Sequence, residues 1–155
     1  MELYIVQFIA LFLLALVTGV FWGPWLSLHR SLEAFSAADL IHIVKTMAKN
    51  LAVPMRILMP CCVLFMTLST WFYPHINSLG FYFSIAACFL TIIALIITIR
   101  VEVPIVNDIK NWTHSTKPNN WEAIRNRWKF FHVIRTFVSL TSFGSFAISL
   151  LFLIK

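Results

Sequence analysis

At 155 residues, with 60% hydrophobic side chains, 12% charged ones and a mean hydropathy of +0.85, this chain is too apolar for a water-soluble domain. Its net charge of +6 is absorbed by membrane topology and anionic headgroups, which leaves no basic surface for a nucleic-acid partner. Four apolar stretches, 3–22, 51–73, 79–99 and 137–154, each approach the roughly 20 residues that a helix needs to cross about 30 Å of hydrocarbon. The expected fold is all-α: a polytopic membrane four-helix bundle, one domain over 1–155, with cytoplasmic helical extensions.

The first stretch lacks a basic leader (Glu2 is its only early charge) and no small-residue cleavage site follows it, so it reads as a membrane helix rather than a signal peptide. It ends at Trp22-Gly23-Pro24-Trp25, two interfacial aromatics around a bend. Ser36-x-x-Asp39 then reads as a capping box that opens a short amphipathic helix between helices 1 and 2. Leu40, Ile43, Val44, Met47 and Leu51 share one of its faces; His42, Lys45 and Lys49 share another. Arg56 stands near the end of the second span, where its stem can snorkel to the headgroups. The uncharged turn 73–78 is short enough to make spans two and three antiparallel neighbours.

The third span has no charge between Leu79 and Ile99 and continues through Glu102. Pro104 removes a backbone bond and kinks or ends that helix. Residues 112–120 read as a loop, and Asn111-Trp-Thr113 as a glycosylation sequon silent on the cytoplasmic side. The last helix starts near Trp121, with Asn119 or Asn120 as cap and Glu122 in its first turn. Unbroken to Ile154 it would measure about 51 Å, so 121–135 projects from the bilayer. Eleven of the twelve Lys and Arg residues surround the first and third connections and only Lys155 lies opposite. The positive-inside rule therefore predicts a multi-pass protein with both termini on the non-cytoplasmic side. Cys61, Cys62 and Cys88 lie inside apolar spans without ligand spacing and read as small fillers.

The strongest chemical signal is 121–135. At 100° per residue, Trp121, Arg125, Trp128, His132 and Arg135 fall within about 80° of one helix face. Two indoles, two guanidiniums and an imidazole on one stripe could hold a flat apolar molecule, bind an anion or enolate and move a proton. Equally, Arg125 and Arg135 could pair with Glu33, Asp39, Glu102 or Asp108 while the tryptophans serve an interfacial belt. Glu102, just past an uncharged span, needs a partner or acts as a base. Asn107 either caps a helix end or donates to a ligand. His29, Glu33 and His132, with Glu102 or Asp39, contain the ingredients of an iron or copper site, but no two histidines stand at i, i+4. No metal ligand is assigned, and iron, copper or haem stays open. His75 and His114 read as solvated. Phosphate-loop, dinucleotide, zincin and serine-hydrolase signatures are absent from the sequence.

Val101-Glu102-Val-Pro104-Ile-Val-Asn107, followed by Trp121-x3-Arg125-x-Arg127-Trp128-x3-His132-x2-Arg135, resembles the anthrone-oxygenase-like family of small four-helix integral membrane proteins. Gly19, Gly23 and Pro24 at the exit of the first span fit as well. The resemblance implies oxidation of an anthrone to an anthraquinone by molecular oxygen, without an organic cofactor. It also implies that Asn107, Trp121, Arg125, Trp128, His132 and Arg135 are the positions to watch.

Two functions follow. In the first, the protein is a membrane oxygenase or oxidoreductase for a lipophilic aromatic or quinone-like small molecule. His132 or Glu102 removes a proton, Arg125 and Arg135 stabilise the enolate, and Trp121, Trp128 and Asn107 bind the substrate. In the second it is a non-enzymatic module, a scaffold, lipid-binding or transport-associated protein, with the stripe as a headgroup or partner site. The partners expected are the bilayer, a lipophilic small molecule and a second copy of the chain.

Overall fold

In a computed structural model the described residues, 2–113 and 115–153, form helices and turns only. The elements are α1 (Glu2–Ser27), α2 (Ala37–Trp71), α3 (Leu79–Ile97), a π-helical turn (Thr98–Glu102), α4 (Val103–Asn111) and α5 (Trp121–Leu151). Four helical segments, Leu3–Ser27, Ala37–Trp71, Leu79–Asn111 and Trp121–Leu151, are long and apolar enough to cross a membrane. This is an integral, multi-pass membrane bundle. The long helices pack in a ring, α1 on α2, α2 on α3, α3 on α5 and α5 back on α1.

The closest packing is α3 on α5. Lipid tails are as apolar as leucine, so the hydrophobic effect contributes little to helix association; close backbone approach and interhelical hydrogen bonds take its place. The buried stripe of α3 is accordingly small: Gly80, Ser84, Ala87, Thr91 and Ala94. Ser142 of α5 meets it, its hydroxyl donating to Ala87 O at 2.7 Å; Ser139, Phe146 and Ser149 are buried on the same helix. Hydroxyl pairs stitch the seams: Thr91–Ser142 at 2.7 Å, Thr18–Ser139 at 2.8 Å and Thr70–Ser84 at 2.6 Å. Large apolar side chains such as Phe8, Phe12, Ile57 and Phe89 point outward to lipid.

Three expectations are revised. The amphipathic segment is not a separate helix between helices 1 and 2. Its capping box at Ser36 and Asp39 is present, but it opens the continuous 35-residue α2. Leu40 and Val44 are buried and His42, Lys45 and Lys49 exposed, as the periodicity requires. Asn50 and Pro54 could have stopped it, but the helix runs through both, and no glycine stands there to supply a left-handed cap. Pro104 does not end the third helix but sits in the first turn of α4, directly after the π-turn. There the Val103 N–H bonds to Thr98 O, five residues back. Asn120 occupies the N-cap position of α5 without a side-chain capping bond. The helix that it opens is 31 residues long, about 46 Å at 1.5 Å per residue.

At the basic end, a second apolar cluster caps the bundle. Leu32 of the first connection, Leu40, Ile41 and Val44 of α2, Ile105 and Ile109 of α4, Trp112 and Trp128 pack together there. Lys45 Nζ donates to Trp112 O at 3.1 Å, which ties the start of the third connection to α2.

Gly80 is the tightest point of the bundle. A methyl group there would overlap the Tyr73 hydroxyl and the Phe152 side chain. The Tyr73 hydroxyl in turn donates to Ser149 O at 2.8 Å. Gly80→Val should cost about 1–3 kcal/mol by overpacking. Gly19→Ala, where a methyl meets nothing within 4 Å, should be neutral or stabilising by up to about 1 kcal/mol. Unfolding in detergent micelles measures both; equal effects of the two substitutions would contradict this packing.

Candidate functional site

Between the core of the bundle and the basic-end cap lies a cavity of about 460 Å³. Four segments wall it: the end of α1 (Phe21, Pro24), one face of α2 (Val44 to Pro60), the run from Leu95 to Lys110, and the first turns of α5 (Trp128, His132, Arg135). Most of the wall is apolar, with Met47, Met55 and Met59 supplying adaptable side chains from α2. The polar groups gather on the α5 side.

Arg135 organises them. Its guanidinium reaches Glu102 Oε2 at 3.2 Å, the Thr98 hydroxyl at 3.2 Å and His132 Nδ1 at 2.8 Å, and lies 4.2 Å from the Phe21 ring centre. Arg135, Glu102 and His132 are all buried. A guanidinium only donates, so His132 Nδ1 must accept, and the imidazole is the neutral tautomer with its proton on Nε2. Four polar atoms of the cluster make no hydrogen bond of good geometry, Glu102 Oε1, His132 Nε2, Trp128 Nε1 and Arg135 Nε; the Trp128 indole N–H nonetheless lies near the Glu102 carboxyl, and the His132 ring near the Phe21 carbonyl. Buried polar atoms are ordinarily satisfied, so this concentration on one cavity wall singles it out as the candidate site.

The π-turn sets up this arrangement. Eight residues at 100° each would put Glu102 about 80° away from the face that Ala94 shows to α5. The i→i+5 bonding of residues 98–102 winds less tightly, and Glu102 turns inward to meet Arg135. Thr98 lies in the same turn and contributes the second Arg135 contact.

The five-residue stripe of α5 is buried or half-buried along its whole length, but it splits. Trp128, His132 and Arg135 line the cavity; Trp121 and Arg125 lie beyond it, in the cap. Arg125 stacks on Trp121 at 5.2 Å and bonds to Asn126 Oδ1 at 3.2 Å. Asn107 lines the cavity from an exposed position. Of the ion pairs anticipated from sequence, Arg135 with Glu102 forms, whereas Glu33 pairs with Lys129 at 2.6 Å instead of with Arg125. The hydrogen bond from Lys129 holds the Glu33 carboxyl below its usual range. His29, stacked beside Trp25, is shifted down first by burial and then by the Lys129 ammonium. Among the described residues no three His, Cys, Asp or Glu side chains come together as a metal-ligand set, so His29, Glu33 and His132 do not assemble the alternative site. His75 is exposed, and His114 lies outside the described residues.

Several lining residues escaped the sequence reading. Phe21 and Thr98 look like ordinary span residues, although Thr98 precedes Glu102 by four and so shares its helix face. Arg56, expected to snorkel, and Lys110 both line the cavity.

No curated protein and no solved structure matches the chain. A family model does: that of anthrone oxygenase, over residues 48–145, which takes in all of α3, the π-turn, α4, every cavity residue of α5 and most of α2. The matched region covers well over half of the chain and the polar wall of the cavity, and the protein belongs to the anthrone oxygenase family.

Proposed function

We propose that this membrane protein is an oxygenase for a lipophilic aromatic or quinone-like molecule bearing an acidic C–H, with Glu102 as the base. One observation carries the reading. The buried Glu102 carboxyl sits on the wall of a largely apolar cavity with Oε2 held by a guanidinium, while Oε1 is within good hydrogen-bond geometry of no neighbour, the nearby Trp128 indole N–H included. The cavity volume falls within the roughly 300–1,000 Å³ of small-molecule sites.

The roles divide by donor chemistry. His132 cannot serve as base in this tautomer, because Nδ1 is engaged by Arg135 and Nε2 already carries a proton. It acts as a neutral donor. Glu102 takes the C–H proton, and the negative charge passes to the substrate oxygen. Arg135 and the His132 Nε2–H stabilise that charge electrostatically. Trp128 offers a flat apolar wall to the ring, and Asn107 a polar edge at the mouth. The carbanion carbon then reacts with dioxygen. In the net change the carbon loses two hydrogens and gains one oxygen atom as a carbonyl, and the second oxygen atom leaves as water. Trp121 and Arg125 support the cap beneath the site. The charge asymmetry supports a cytoplasmic position for the cavity end, since eleven of the twelve Lys and Arg residues surround the first and third connections.

The test is oxygen uptake and anthraquinone absorbance with anthrone as substrate and protein in nanodiscs, per folded molecule by size-exclusion chromatography. Glu102→Gln should lower turnover by on the order of 10²–10⁴-fold. His132→Ala should lower it by about 10²-fold while the folded protein stays in the membrane. Native-like turnover in both variants would overturn the assignment.

A further inference from the structure

The charges on the cavity wall do not balance. Arg56, Lys110 and Arg135 are cations; Glu102 is the sole carboxylate among the lining residues and is taken by Arg135. Lys110 is exposed on α4, at the end of the bundle with access to water. Arg56 is exposed as well, but it stands at a different depth. Counting the roughly 20 residues that span hydrocarbon back from Trp71, the last residue of α2, puts Arg56 about one turn inside the membrane. A charged side chain at that depth either snorkels to the headgroups or faces a cavity or a partner. Among the described residues Arg56 forms no ion pair and no side-chain hydrogen bond, yet it borders the cavity beside Met55 and Met59. Arg100, in the π-turn and likewise exposed, does not line the cavity.

We infer that the ligand of this cavity carries an anionic substituent, a carboxylate or an ionised phenol, which Arg56 meets, in addition to its apolar ring system. The inference rests on the reading of the cavity as a substrate site and narrows it to an amphiphilic, acidic aromatic. Arg56 thereby sets specificity from the α2 side, opposite the Glu102–Arg135 pair, and orients the ring with its acidic group away from the reacting carbon. The planar guanidinium suits a carboxylate through paired N–H donors. A lipid phosphate offers Arg56 the same chemistry, so the test separates the two sources.

The probes are 9-anthracenecarboxylate and its neutral analogue 9-anthracenemethanol, followed by energy transfer from the protein's tryptophans in phosphatidylcholine and phosphatidylglycerol nanodiscs, with partitioning into empty discs subtracted. The native protein should bind the carboxylate at least about tenfold more tightly than the alcohol in both lipids. Arg56→Gln should bring that ratio close to one and leave the alcohol's affinity unchanged, whereas Arg100→Gln and Lys110→Gln keep most of the preference. No preference in the native protein, or its survival in Arg56→Gln, overturns the inference. So does a preference that follows Lys110, or loss of bound phosphatidylglycerol in Arg56→Gln without any change in the probe ratio; the latter assigns Arg56 to the lipid. If both probes bind equally, the substrate cavity stands and only the anionic handle falls. If neither binds, both readings fall together.

Discussion

A carboxylate and a guanidinium withdrawn from water must find each other, and in this bundle the contact between Glu102 and Arg135 sets the position of everything around it. Ions in a low-dielectric interior lose hydration worth several kcal/mol each, which their mutual attraction offsets only when the geometry is good and the remaining donors are used. Arg135 uses them on Thr98, His132 and the Phe21 face. Three elements, α1, the π-turn and α5, are therefore pinned at one level of the bundle. The pinning has a chemical consequence: it fixes the tautomer of His132 and leaves one oxygen of Glu102 uncommitted. The local structure and the proposed chemistry both descend from a single ion pair.

The cavity beside that pair persists because the helices around it are held elsewhere. Above it, small residues and hydroxyls bring α3 and α5 into contact; below it, the cap ties α2, α4 and α5 together through Val44, Ile109 and Trp128. Methionines from α2 line the space, and they adapt to a guest more readily than branched side chains do. A bundle that associates by close small-residue seams, rather than by hydrophobic collapse, can tolerate such an opening.

Much of this architecture is legible in the amino-acid order, for identifiable reasons. Span length and the absence of charge at 79–99 report the bilayer directly, since lipid tolerates few alternatives to a helix. The α5 stripe is legible because 3.6-residue periodicity is strict within one unbroken helix; the burial of Arg125, Trp128, His132 and Arg135 follows from it. Its division between cavity and cap is not legible, because that depends on where α4 and the first connection pack. The inward turn of Glu102 is hidden for a different reason. An α-helical count points it elsewhere, and a π-turn has no reliable residue signature apart from a downstream proline that can equally signal a kink. The continuity of α2 through Ala37–Trp71 is likewise obscured, because its amphipathic first turns and its lipid-facing remainder differ in composition while sharing one backbone. Arg56 is visible in sequence but ambiguous, since snorkelling and lining a cavity demand the same residue at the same depth.

The central claim is that the Glu102–Arg135 pair holds the site together, and a double-mutant cycle on unfolding stability tests it most directly. Glu102→Gln and Arg135→Met, each alone, should destabilise the protein by about 3–5 kcal/mol, because each strands the other group in the interior. The double variant should lose far less than the sum, with a coupling energy of about 3 kcal/mol or more. Strictly additive losses would mean that the two groups do not depend on each other, and the account built on their contact would fail.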